Sequence, residues 1–105
     1  MALSGGGDRA DVVNREFIHV KKTVGTTAIV ARVGSENLAG RQELVLVNMG
    51  DIDVYWGNST VTITGSTQGV PIVSGGVANV QYGDRINVHI VCSASTGSAI
   101  IQEVS

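Results

Sequence analysis

His89 and Cys92 stand three residues apart in the segment RINVHIVC. On a helix that spacing turns two metal-binding side chains toward one ion. The flanking residues read as a strand, however, and residues three apart on a strand face opposite sides of the sheet. The pair cannot chelate together, and zinc sites take three or four protein ligands. Cys92 therefore reads as a small buried hydrophobe. His19 and His89, the two histidines of the chain, read as exposed strand or loop residues. A Ser–His–Asp triad can be drawn on paper, but no nucleophile elbow accompanies it. SGGGD does not follow a strand and open a helix as a phosphate loop does. Glu36, Glu43 and Glu103 can each be paired with Asp51, Asp53 or Asp84 as glycosidase carboxylates. A chain with nine acidic residues allows such pairs by chance. The reading is of a protein with no catalytic residues, no metal ligands and no cofactor, and so not an enzyme.

The elements that carry these residues belong to one domain, since 105 residues fall in the single-domain range. Only 15% of residues are charged, well below the usual quarter. A surface poor in charge and rich in Gly, Ser, Thr and Asn is weakly protected against association, which suits a subunit whose surface is covered. The net charge of −2 leaves no basic footprint, so nucleic-acid binding through phosphate neutralisation is not expected. The single cysteine rules out an intramolecular disulfide and fits a reducing compartment. No apolar run reaches membrane-spanning length. Met1 to Ala10 lacks the basic-then-apolar order of a signal peptide.

Period-2 alternation dominates from Phe17 onward. FIHVKKTV and TAIVARV are β-branched runs joined at a predicted hairpin turn near Gly25. In RQELVLVN, Leu44 and Leu46 share one face and Val45 and Val47 the other, as in a central strand. DIDVYW sets Ile52, Val54 and Trp56 against Asp51, Asp53 and Tyr55. Val61 and Ile63 alternate with Thr60, Thr62 and Thr64. VPIV carries the only proline, and Pro71 cannot donate to a ladder, so that strand belongs on an edge or begins late. VANVQY follows, then RINVHIVC with Ile86, Val88, Ile90 and Cys92 inward, then AIIQEV as the last strand. About eight short strands at roughly 8–12-residue spacing predict an all-β fold, a single β-sandwich or jelly-roll-like barrel. Asn58 in NST reads as a turn residue rather than a glycosylation site. Trp56 is expected to be buried, leaving Tyr55 or Tyr82 as the alternative, a carbohydrate-stacking platform.

The central pattern resembles a small β-domain that recurs among virion proteins of tailed bacteriophages. The matching positions are Leu38 to Arg41, Asn48, Tyr55 to Gly57, Gly69 to Ile72, Gly75, Gly76 and Glu103, spread over about two thirds of the chain from Leu38 to Val104. YGDRINVHIV departs from the Asp-Leu-Tyr-Ala pattern of relatives, and the N-terminal arm has no counterpart. The resemblance implies a structural role: a decoration (cement) protein bound to the major capsid protein on the capsid surface, assembled in the host cytoplasm. It also implies a homo-oligomer, with a trimer favoured. The alternatives are a neck or tail accessory in low copy number, or a carbohydrate-binding module that attaches the particle to host glycans.

The domain division follows from composition. Residues 1–16 form an arm too poor in apolar groups to fold alone, and residues 17–105 form the β-domain. Val12, Val13 and Arg15 are the arm's candidate partner-binding residues, an apolar grip flanked by charge. The arm is expected to be flexible in the free protein and ordered only against a neighbour.

Overall fold

Leu44 and Leu46, two apart in ELVLVN, are both fully buried, and Val45 and Val47 between and beyond them are half-exposed. That strict alternation is what a two-layer sheet fold requires. In the computed structural model, which describes residues 16–105, eight strands form. They are β1 (Phe17–Val24), β2 (Ile29–Val30), β3 (Glu43–Asn48), β4 (Val54–Gly57), β5 (Val70–Ile72), β6 (Val77–Val80), β7 (His89–Cys92) and β8 (Gly97–Val104). They make two four-stranded antiparallel sheets, β1-β8-β3-β6 and β2-β7-β4-β5. Every link between successive strands passes from one sheet to the other except β4 to β5, which pair directly. The all-β expectation is met, and this order is that of a double-sheet jelly roll.

The core lies between the sheets. From the first come Val24, Leu44, Leu46, Val80, Ala99 and Ile101; from the second, Val54, Ile72, Ile90 and Cys92. Each fully buried aliphatic side chain contributes roughly 1.5–3 kcal/mol. Trp56 and Ile52 are only partly buried and pack against the margin of this cluster.

Several local expectations are corrected. Gly25 does not close a hairpin: β1 pairs with β8 and β2 with β7, so the chain there crosses between sheets. Of TAIVARV only Ile29 and Val30 are strand. The Val61–Ile63 alternation is not a strand. It is a loop with one isolated bridge, Thr62 to Gln68, and a single 3-10 turn at Gly65–Thr67. β7 starts at His89, so Ile86 does not share its inward face and is 49% exposed. Pro71 does sit in an edge strand, β5. Glu16, assigned by composition to the arm, is tied to the last residue: the Ser105 amide donates to its carbonyl (2.8 Å) and its own amide to Ser105 Oγ (2.9 Å). Val12, Val13 and Arg15 lie outside the described residues.

Candidate functional site

Among the described residues three polar side chains are buried: Arg41, Asn48 and Glu103. Glu103 points inward from β8 and is fully enclosed. Its carboxylate accepts from Arg41 Nη1 at 2.8 Å, from the Val33 amide at 2.9 Å and from the Leu38 amide at 3.1 Å. Arg41 spends its other donors on carbonyls of the loop between β6 and β7: Nε on Tyr82, Nη2 on Gly83 and Ile86. A buried carboxylate is tolerated only when paired and hydrogen-bonded, and here one ion pair also fastens two loops to the end of a sheet. Glu103 is therefore not available as a glycosidase-type acid. Asp84, its suggested partner in that role, accepts instead from the Gly40 amide at 2.7 Å.

Asn48, the last residue of β3, organises the other end. Its Nδ2 donates to the Ile52 and Ile72 carbonyls, each at 2.8 Å, and its Oδ1 accepts from the Gly50 amide at 2.9 Å. All three buried polar residues belong to the positions that carry the phage-domain resemblance. Their chemistry is that of a framework.

The other candidates separate. His19 is exposed on β1, its ring stacked near Phe17 with centroids 6.2 Å apart. His89 is half-buried rather than exposed, and its Nδ1 is enclosed with no hydrogen-bond partner among the described residues. Cys92 is buried, and burial, followed by the nearby charge of Asp53, pushes its thiol above the ordinary value. Among the described residues no three His, Cys, Asp or Glu side chains gather, and no helix is long and apolar enough to cross a membrane. Asn58 does hold a turn: its Oδ1 accepts from the amide and hydroxyl of Thr60 at 2.9 and 2.7 Å. Tyr82 meets the half-buried Trp56 edge-on, at 6.4 Å and 69°, so the two rings do not present one flat platform.

Clefts are shallow. One of about 490 Å³ lies between Arg32, Glu36, Asn37, Asp84, Arg85 and Asn87, with charges of both signs. Asn37 Nδ2 bonds the Asp84 carbonyl and Asn87 Oδ1, both at 2.9 Å, and its Oδ1 is enclosed without a partner among the described residues. Another, of about 290 Å³, lies between Trp56 and the loop after β4.

The two outer faces of the sandwich carry the remaining information. On the β2-β7-β4-β5 sheet the loop between β4 and β5 folds back over the strands. Val61, 7% exposed, sits over Gly57 and Gly69. A Cβ on Gly69 would lie 2.5 Å from Val61 Cγ2 and 2.6 Å from the Trp56 carbonyl oxygen, so only glycine admits this approach. Thr62 and Ile63 continue alongside Val91, which faces outward from β7 and is nevertheless 5% exposed. The β1-β8-β3-β6 sheet has no such cover among the described residues. Register places Lys21, Ile100, Val47 and Val77 in one row across its outer face. His19, Gln102, Val45 and Asn79 make the next row, and Phe17, Val104 and Glu43 the third.

The β1 edge of that sheet, unpaired among the described residues, has a defined phase. The Ser105 amide bonds Glu16 and the Met49 amide bonds Ser98, and in an antiparallel ladder hydrogen-bonded pairs alternate. Ile18, Val20, Lys22 and Val24 therefore bond β8, while Phe17, His19, Lys21 and Thr23 turn their N–H and C=O groups off the sheet. Sequence reading placed the Pro71 strand at an edge but did not single out β1; β1 is the only long edge among the described residues and lacks proline.

Comparison with known proteins adds little to this geometry. No protein-family model matches the chain, and no curated protein does. Among solved structures, the chain is similar in fold to one described as "Bacillus endospore appendages form a novel family of disulfide-linked pili", at 14% identity and a TM-score of 0.47, covering 86% of this chain and 83% of that one.

Proposed function

We propose that this chain is a non-enzymatic structural subunit that acts by contact, decorating a bacteriophage capsid by binding the major capsid protein. The observation that carries the contact mode is the edge of β1, unpaired among the described residues, where four alternate residues, Phe17, His19, Lys21 and Thr23, offer backbone donors and acceptors. Unpaired edges are templates for a further strand. Lys21 projects from the middle of that edge, which disfavours pairing with a lysine-bearing strand and favours one carrying a carboxylate opposite it. The phage setting rests on the resemblance over Leu38 to Val104. Its support is that Arg41, Asn48 and Glu103 serve the framework such a resemblance would preserve.

Binding only to the assembled shell stabilises that shell by mass action, repeated over many lattice sites. The test is to add purified protein to empty capsids, then measure bound copies and thermal disruption. Hundreds of copies and a raised disruption temperature are expected, and both should fall when Lys21 is changed to Glu. Six or twelve copies would point instead to the neck or tail. No binding, with unchanged capsid stability, would overturn the proposal. The arm has its own test: deletion of residues 1–15 should leave the β-domain folded and weaken incorporation, and unchanged incorporation would remove Val12, Val13 and Arg15 from the binding surface.

A further inference from the structure

We propose that the cleft between the β2–β3 loop and the β6–β7 loop is a binding site for a carboxylate carried on a partner polypeptide. The site stands apart from the β1 edge and goes beyond the capsid reading, on which it does not depend. One wall presents Arg32, Glu36 and Asn37, and the other Asp84, Arg85 and Asn87, around a space of about 490 Å³.

Both walls are held by bonds that cross between the loops. The Arg41 guanidinium, itself fixed by Glu103, donates to the Tyr82, Gly83 and Ile86 carbonyls on the side of the second wall. Glu103 also accepts from the Val33 and Leu38 amides, which bracket Glu36 and Asn37 on the first. Asn37 Nδ2 then ties the walls directly, to the Asp84 carbonyl and to Asn87 Oδ1. The Gly40 amide does the same through the Asp84 carboxylate. Loops secured in this way are in place before a ligand arrives, which lowers the ordering cost of binding.

What these walls leave over is a set of donors. Among the described residues the sole ion pair is Arg41 with Glu103, so Arg32 and Arg85 have no carboxylate partner there. Asn87 gives its Oδ1 to Asn37, and its Nδ2 remains a donor with no partner among the described residues. Guanidinium forks match a carboxylate in plane and spacing. Phosphate is matched too, but Glu36 and Asp84 cancel the two arginines in formal charge, which disfavours the more highly charged anion. The cleft is also shallow, whereas small-molecule sites enclose most of their ligand. A carboxylate bound here must draw its remaining contacts from the chain that carries it, as an Asp or Glu side chain does.

The experiment is an NMR titration of the full chain, following backbone amides and arginine Nε–H groups, with thermal melts of every variant. The probes are the blocked tripeptide acetyl-Gly-Glu-Gly-amide, its Gln counterpart, acetate and inorganic phosphate, all at matched ionic strength. The Glu peptide should shift Arg32, Asn37, Arg85 and Asn87, with a dissociation constant on the order of millimolar. It should bind at least about tenfold tighter than the Gln peptide. Arg85→Gln and Asn87→Asp should each weaken it about tenfold with unchanged melts. Arg85 is exposed and makes no ion pair, and Asn87→Asp keeps the acceptor that Asn37 needs. Glu36→Gln should tighten binding about twofold by removing an opposing charge. Equal binding of the Gln peptide, shifts centred on Lys21 and Lys22, or indifference to Arg85→Gln and Asn87→Asp would each overturn the site. Acetate as tight as the Glu peptide would overturn the polypeptide source, and phosphate tighter than either would overturn the carboxylate. A chain that binds the peptide but ignores capsids upholds this site and retires the decoration reading.

Discussion

The two sheets share a core but treat their outer faces differently. The β2-β7-β4-β5 sheet is closed by twelve residues of its own chain between β4 and β5, with Val61 seated over two glycines and Val91 sealed beneath the loop. The β1-β8-β3-β6 sheet is longer, carries Val45, Val47, Ile100 and Val104 on its outer side, and keeps Phe17 and Val77 largely in solvent. A small domain with few charges can satisfy one apolar face internally. The other has no cover among the described residues, and a contiguous exposed apolar face is the kind of surface on which a binding partner is sought.

The largest effect should come from the ion pair that serves both sheets. Arg41→Leu leaves Glu103 buried without its cation and should cost about 3–5 kcal/mol in denaturant unfolding. Hydrogen exchange should speed up in both sheets together. Loss confined to the β6–β7 loop would mean that the pair anchors a loop and not the sandwich.

A smaller effect is expected where the closed face is wedged open. Gly69→Ala pushes a methyl group into Val61 and the Trp56 carbonyl, and should cost about 1–3 kcal/mol. Because the displaced loop lines the cleft beside Trp56, tryptophan fluorescence should shift to the red. An unshifted spectrum would show that the loop does not cover this end of the sheet.

Cys92 reports on the inner side of the closed sheet. Its raised folded-state pKa arises first from burial and then from Asp53. That contribution to stability is complete below the ordinary thiol value and is lost as pH rises through the folded value, because the unfolded chain ionises first. Native protein should therefore resist alkylation at mildly alkaline pH and react at once in denaturant. Fast native alkylation would contradict a sealed core.

The smallest effect on folding is the most telling for the open face. Val77→Lys should change monomer stability by no more than about 0.5 kcal/mol, in contrast to Leu46→Ala on the inner side of the neighbouring strand, at about 2–5 kcal/mol. A large loss from Val77→Lys would mean that this face is already covered within one chain.

Strand identity was legible wherever period-2 alternation was strong. β3, β4 and β8 were readable from ELVLVN, DIDVYW and AIIQEV, and Pro71 marked an edge because proline cannot donate to a ladder. The same rule misread Val61–Ile63, whose alternation lies in a loop that packs on a sheet face instead of joining it. It also set Ile86 inward, three residues before β7 begins. The glycines at 57 and 69 were visible as letters, but their close approach to Val61 was not.

Alternation is a local property, set by backbone geometry two residues at a time, and so the sequence by itself determined an all-β chain, the inward-facing residues of its strongly alternating strands and a proline-bearing edge. Which strand lies beside which is decided by contacts between distant segments. The pairing of Arg41 with Glu103, 62 residues apart, could be found only by closing those loops. Sheet membership, the turn of β1's alternate backbone groups away from β8, and the choice of which face a loop would cover came from the same non-local packing. No spacing along the chain encodes them, because each depends on where the rest of the chain has already been placed.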